Sequence, residues 1–301
     1  MTTTTTAPAR ASAAATAAST GRRRRHRPFR LGGALLYVVL ILIAIVYIFP
    51  FLIDISTSFK TETDATNDPL GLVPPTWTAA AYTYLFANSD FPIWFMNSAV
   101  VTVAVTIGRT LFDSAAGYAL ARLRFGGRNA LYAGFIAVMA VPGVVLLIPK
   151  FLVINQLGMF DSYSGMIVPL FADAAGVFIM KNFFESIPVA VEEAARIDGA
   201  GTIRTFWSVI LPMARPALVT IVILSFQGSW NELAHFIVST SSPDLYTLTK
   251  GVATLSSGAI GSAKRYPVQL GAAAIMTIPV AILFIAFQRR ITNTASGAVK
   301  E

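Results

Sequence analysis

Residues 188–216 read PVAVEEAARIDGAGTIRTFWSVILPMARP, a charged, amphipathic insertion between two apolar stretches of membrane-crossing length. Pro188 suits the first turn of a helix, where its missing N–H leaves nothing unpaired. Glu192 and Glu193 follow near the positive end of the helix dipole, and Arg196 stands four and three residues on, spaced for weak surface ion pairs. Gly199 and Gly201 punctuate the segment, because glycine readily takes the left-handed conformation that ends a helix. Thr202 is placed to cap a second short helix carrying Ile203, Phe206, Trp207, Ile210 and Leu211 on one apolar stripe. Pro212 and Pro216 close the segment before the next hydrophobic run. Charge and periodicity leave two readings open: a helix-turn-helix knuckle offered to a soluble partner, or an interfacial helix lying on lipid.

The surrounding composition belongs to a membrane. Of 301 residues, 55% are hydrophobic and only 13% charged, too apolar for an ordinary soluble domain. Six apolar stretches, 31–53, 93–121, 130–149, 163–184, 213–238 and 267–288, each approach or exceed the roughly 20 residues that span a bilayer. Seventeen basic residues fall before span one, between spans two and three, around the insertion, or after span six; five fall in the alternate loops. Excess Lys and Arg marks the cytoplasmic side, so both termini and the insertion are expected there. The net charge of +8 is therefore topological, and nucleic acid is not an expected partner. The fold class expected is an all-α polytopic membrane protein with six transmembrane helices and a cytoplasmic insertion between spans four and five.

The domain reading follows. Residues 1–30 form a basic tail, Thr/Ala-rich over 1–20 and expected to be disordered, on the cytoplasmic side. Residues 31–290 form the transmembrane domain, with the insertion loop at 188–212, and 291–301 a C-terminal cytoplasmic tail. The basic block before span one resembles a signal peptide with Ser56 and Ser58 near a cleavage site, but the apolar run is long for one and reads as an uncleaved anchor. The hydrophilic segments 54–92 and 239–266 lie outside, either as the seat of a delivering protein or as connectors. No cysteine is present, which excludes disulfides and thiolate chemistry.

Catalytic constellations are missing. No G-x-x-x-x-G-K-[ST] run cradles nucleotide phosphates, no G-x-S-x-G elbow occurs, and His26 and His235 have no partner spacing for zinc. Polar residues inside spans are costly and invite functional readings. Arg109 and Asp113, at i and i+4 in span two, read as a self-neutralising structural pair or a proton relay. Asp173, in the middle of span four, is expected to face a polar cavity or Lys181. Gln227, Asn231 and His235 recur every four residues on one helical face of span five, with Trp230 and Glu232 beside them. This stripe suits a path for a hydroxylated solute, with Trp230 stacking on a sugar face, or else glue between helices.

One resemblance bears on all of this. Glu193-Ala194-Ala195, three residues, Gly199, nine residues, then Val209-Ile210-Leu211-Pro212 resembles the EAA signature of ABC-importer permeases, with Val209 where isoleucine is usual. Asn97-Ser98, the run Ala116–Arg122 with Phe125-Gly126-Gly127-Arg128, Pro142-Gly143 with Ile148-Pro149, Leu157-Gly158, Tyr163, Ile167-Val168-Pro169 and Trp230-Asn231-Glu232 also resemble the carbohydrate-type (maltose-type) members. The likeness covers about residues 30–301. It departs at the C-terminus, where 292–301 lack the usual glycine-rich tail.

The resemblance implies a type I importer fold whose EAA loop is a coupling helix docked on an ATPase subunit. The docking residues it implies are Glu192, Glu193, Ala194, Ala195, Asp198 and Gly199, followed by Ala200, Phe206, Leu211 and Pro212. It also implies a second homologous permease, a dimer of ATP-binding subunits carrying ATP and Mg, an extracytoplasmic solute-binding protein and a carbohydrate cargo. The chain itself would bind no cofactor and catalyse nothing, and would sit multi-pass in a bacterial inner membrane. The rival expectations are an ion-gradient-driven secondary transporter and a membrane scaffold that recruits a soluble partner.

Overall fold

The computed structural model describes residues 31–256 and 265–297, and among them every regular element is helical. Expectations for 1–30, 257–264 and 298–301 lie outside the described residues. The chain divides into two units, Met1–Ile48 and Phe49–Glu301.

Helix α1 (Leu31–Ser58) is predominantly apolar as far as Ile53, with Asp54, Ser56, Thr57 and Ser58 at its C-terminal end. There Ser56 Oγ donates to the Gly71 carbonyl at 3.1 Å, and Ser58 Oγ shares a 2.7 Å hydrogen bond with Tyr82 Oη. The small residues that sequence placed near a cleavage site are therefore buried packing elements. The segment after α1 carries α2 (Glu62–Asn67), capped by Thr61 Oγ1, and α3 (Ala80–Ala87).

Helix α4 (Phe91–Arg122) is the central rod. Pro92 opens it where no backbone donor is lost. It passes through three apolar clusters in turn: Phe91 and Trp94 with Trp230 and Leu248 at its N-terminal end, Val101 and Val105 with Met166 and Phe236, then Tyr118 and Ala121 with Phe184 and Phe206 at its C-terminal end.

Spans three, four and five are not single straight helices. α5 (Arg128–Met139) gives way at Ala140–Pro142 to a 3₁₀ turn and α6 (Leu147–Gln156), bent by 105°. Proline removes a backbone donor and obstructs the preceding turn, which accounts for the break. α7 (Tyr163–Ile167) and a 3₁₀ turn are followed by an interruption at Phe171–Asp173 before α8 (Ala174–Ser186). The insertion comprises α9 (Val189–Ile197), α10 (Thr202–Thr205), a π-helix (Phe206–Ile210) and α11 (Leu211–Met213). It meets α12 (Arg215–Trp230) at an 82° bend. α13 (Ala234–Ser239), α14 (Leu248–Ser256) and α15 (Tyr266–Gly297) complete the chain. Four helices are long and apolar enough to cross a membrane among the described residues, or six if each bent pair counts as one span.

The interruption in span four corrects two expectations. Arg109 and Asp113 do not pair: Arg109 Nε donates to the Leu170 carbonyl at 2.8 Å and Asp113 Oδ1 accepts the Asp173 amide at 2.9 Å. A helix break strands backbone groups that lipid cannot satisfy, and these two side chains supply the partners. Asp173 does not reach Lys181; it caps α8, accepting the Gly176 amide at 3.3 Å. Lys181 instead pairs with Glu185 at 2.8 Å and lies over the Tyr132 ring.

Candidate functional site

The insertion folds into a knuckle whose two faces differ. Pro188 is the N-cap of α9, and Glu192 and Ala195 are buried while Glu193, Ala194, Arg196 and Ile197 are exposed. Gly199, at φ 81°, takes the left-handed conformation that an L side chain resists. Around it the Gly199 amide donates to the Arg196 carbonyl and the Ala200 amide to the Ala195 carbonyl, at 3.0 and 2.9 Å, the paired closure of a Schellman motif. Asp198 is the C-cap. Gly201 behaves differently from expectation: its φ is −70°, and it, not Thr202, is the N-cap of α10.

The second half of the knuckle departs from a regular α-helix. The π-helix at Phe206–Ile210 inserts extra backbone per turn, so side chains that 3.6-residue periodicity puts on one stripe part company. Phe206, Ile210 and Ala214 face the core, joined by Ala217 and Ile221 on α12. Ile203 and Trp207 are 76% and 51% exposed, so the single stripe read from sequence is really two faces. Phe206 packs against Tyr118 and Phe184, and Trp207 touches Phe206 edge-on from outside. Leu211 is half-buried and Pro212 exposed as the chain turns into α12.

Glu192 is not a surface pair. It is 3% exposed, with Arg122 Nε 3.1 Å from Oε1 and Arg196 Nη2 3.6 Å from Oε2. The Nε–Oε1 approach lacks hydrogen-bond alignment, so it is a charge contact rather than a directed bond. Arg122 Nη2 also donates to the carbonyls of Phe184, at 2.5 Å, and Ile187, at the end of α8. One guanidinium thus ties the ends of α4 and α8 to the buried face of α9. From the sequence, Arg122 reads as a cytoplasmic charge and as the end of the Ala116–Arg122 run, with no partner assigned. Its place in the last turn of a span was visible, but its partners lie far along the chain, beyond any local periodicity.

The span-five stripe divides. α12 ends at Trp230 with Asn231 as its C-cap, so Gln227, Asn231 and His235 do not share one continuous helical face. Gln227 and Asn231 are exposed. Trp230 is buried, stacked on Phe226, edge-on to Phe95, and donates Nε1 to the Met276 carbonyl at 3.0 Å. No ring face is left for a sugar. His235 is buried with a ring nitrogen 3.2 Å from the Met166 carbonyl, and Glu232 Oε1 accepts the His235 amide at 2.9 Å.

At the opposite end, Asn97 Nδ2 donates to the carbonyls of Asp244 and Tyr246 at 2.7 and 2.9 Å, while its Oδ1 accepts Tyr163 Oη at 2.5 Å. Ser98 Oγ accepts the Leu248 amide at 2.7 Å. Asp161 receives the amides of Ser241 and Ser242 and the Ser242 hydroxyl, which hold its carboxyl down at about 2. A cavity of about 430 Å³ lies between Lys60, Thr78, Tyr84 and Arg265. Among the described residues no group of three or more acidic or histidine side chains is placed to hold a metal.

A broken-helix bundle carrying an exposed knuckle between its fourth and fifth spans is the arrangement that the resemblance to ABC-importer permeases implied. The chain belongs to the family described as binding-protein-dependent transport system inner membrane component, which matches residues 113–295. It is 33% identical over 270 residues to the diacetylchitobiose uptake system permease protein NgcG of Streptomyces coelicolor, covering 88% of this chain and 87% of that one. It is 31% identical over 262 residues to the arabinooligosaccharides transport system permease protein AraQ of Halalkalibacterium halodurans, covering 86% and 93%. The crystal structure of a bacterial ABC transporter involved in import of the acidic polysaccharide alginate contains a chain that superposes with TM-score 0.76 at 26% identity, over 86% of this chain and 96% of that one. A chain of the inward-facing MetNI methionine ABC transporter shares the fold, with TM-score 0.52 at 19% identity, over 72% and 99%. The protein is an ABC-importer permease subunit of the type I fold, a multi-pass membrane component; the secondary-transporter and scaffold readings give way.

Proposed function

We propose that this subunit, with a second permease, forms the import path for a sugar or related solute, and that the knuckle, centred on 188–212, couples it to a separate ATPase. The carrying observation is the exposed outer face of the knuckle, where Ile197 is 85% and Ile203 76% exposed beside Glu193 and Ala194. Large apolar groups held in water next to a carboxylate suit a protein groove better than bulk solvent. In this reading Glu193 offers charge or a hydrogen bond to the partner, Ala194 permits close approach, and Gly199, with Asp198 and Ala200, sets the turn. Glu192, Ala195 and Phe206 grip the bundle from the inner face, and Leu211 and Pro212 carry the movement into α12.

The assembly contains a second, homologous permease, a dimer of ATP-binding subunits that hold ATP and Mg, and an extracytoplasmic solute-binding protein. This chain binds no cofactor and leaves hydrolysis to the ATPases. The knuckle and both termini face the cytoplasm, a topology supported by the distribution of Lys and Arg. ATP-driven closure of the ATPase dimer moves the knuckle as a lever, and both sites bias one two-state bundle. Exposed Gln227 and Asn231 face the solute path; Trp230, Glu232 and His235 shape it from behind. The sugar assignment draws its support from the saccharides named for the relatives.

Affinity purification from detergent-solubilised membranes tests the reading. A nucleotide-binding subunit and a second permease should copurify, and a bound solute-binding protein should carry a saccharide. Labelling that places Ile203 on the outer surface, or an intact complex without an ATPase, overturns it.

A further inference from the structure

Movement of the knuckle has two routes into the spans. One is the apolar cluster in which Phe206 meets Tyr118 and Phe184. Such contacts are non-directional, and packed rings can slide over one another with little change in buried area. The other is Arg122, whose planar guanidinium presents donors in a rigid fork. It holds three elements at once: α9 through Glu192, the end of α8 through the carbonyls of Phe184 and Ile187, and α4 through its own backbone. Those α8 carbonyls belong to a helix C-terminus, where no amide of the next turn is available to every oxygen.

Arg122 also sits at one end of an uninterrupted helix whose other end grips the outer loops. Asn97 holds the Asp244 and Tyr246 carbonyls and the Tyr163 hydroxyl. At 1.5 Å per residue the two grips stand about 37 Å apart along α4. A force applied through Arg122 therefore reaches the outer loops without crossing a break, whereas spans three, four and five are each interrupted.

We infer that Arg122 is the positioning residue that transmits displacement of the knuckle to α4 and α8, an inference that rests on the coupling reading above. Arg122 touches neither solute nor nucleotide; it acts through Glu192 and the two carbonyls. Rigid transmission makes the knuckle and the inner end of α4 move together, with α4 carrying the motion outward.

The test uses the reconstituted complex with its partner permease, ATPases and binding protein, comparing wild type, Arg122→Gln and Arg122→Lys. Because the chain has no cysteine, the purified permease can be spin-labelled before assembly at cysteines introduced in place of exposed Arg124 and Ser208, to measure their separation with and without ATP. In wild type the separation should stay constant on ATP binding. Arg122→Gln should keep the ATPase bound and hydrolysing, make the separation depend on ATP, and lower solute taken up per ATP by about fivefold or more. Arg122→Lys should fall between, since a single ammonium nitrogen cannot stand at both the Nε and the Nη2 positions of the planar guanidinium. Both ratios are read on the purified assembled fraction, so poor yield does not obscure them. A residue that only supports folding would lower yield and leave uptake per ATP at the wild-type value, which overturns the inference. An ATP-dependent separation in wild type overturns it too. If wild type itself fails to copurify an ATPase, the coupling reading has failed first and takes this inference with it.

Discussion

Asp113 accepts the backbone amide of Asp173 at 2.9 Å, across the point where span four loses its helix. One turn earlier on α4, Arg109 takes the Leu170 carbonyl on the other side of the same break. The two side chains that looked like mutual counter-ions act instead as a clamp on a neighbour's exposed backbone. The fit is tight, since a Cβ added at Gly176 would come within 2.0 Å of Asp113 Oδ2.

That contact predicts a non-additive pair. Asp113→Ala strands the Asp173 amide and should cost about 1–3 kcal/mol. Gly176→Ala should destabilise as well, because the new methyl collides with a carboxylate that is tied in place. The double variant removes the collision, so its loss should be smaller than the sum of the singles. Thermal unfolding in detergent of all four proteins checks this.

Gly199 carries a positive φ with nothing within 4 Å of where a Cβ would stand. The cost of replacing it is therefore conformational, not steric. Gly199→Val should lose about 1–2 kcal/mol of local stability and with it ATPase association and ATP-dependent uptake. Gly199→Asn, which tolerates the left-handed region, should retain most of both; copurification and uptake assays read the difference.

Adjacent alanines of the EAA run should behave oppositely. Ala195 is buried and Ala194 exposed. Ala195→Leu overpacks the inner face and should cost about 1–3 kcal/mol of permease stability. Ala194→Leu should leave the unfolding temperature unchanged while weakening ATPase binding, measured by titrating purified ATPase onto the permease.

Trp230 joins α12 to α15 through its bond to the Met276 carbonyl. Trp230→Phe should cost about 1 kcal/mol and Trp230→Ala about 3–5 kcal/mol of stability. Solute affinity should survive Trp230→Phe, whereas Gln227→Ala and Asn231→Ala should raise KM for uptake without lowering the unfolding temperature.

Asp161 predicts a pH window. Hydrogen bonds from Ser242 and Ser241 depress its carboxyl to about 2, so the clamp contributes above the unfolded carboxylate range and is lost as pH falls through the folded value. The difference in unfolding temperature between wild type and Asp161→Ala should be flat from about pH 5 to 8 and should shrink between about 4 and 2.

Much of this protein was readable locally. Six apolar runs, the basic residues between them, the charged knuckle and the left-handed turn at Gly199 each follow from composition or from a few neighbouring residues. The division of the knuckle was less legible: 3.6-residue periodicity put Ile203 and Trp207 with Phe206, but both stand exposed while Phe206 packs into the core. The span-five stripe loses its single helical face because α12 ends at Trp230 and breaks the four-residue register before His235.

Sequence alone determined that the chain crosses a bilayer and exposes an amphipathic element on one side, since hydrophobic length and charge placement are additive, local quantities. Only the tertiary structure decided which polar side chains meet. Arg109 left Asp113 for Leu170, and Arg122 found Glu192 and the end of α8. In a dry bundle each broken helix must have its stranded amides and carbonyls satisfied, and which side chain can reach them depends on how the helices pack.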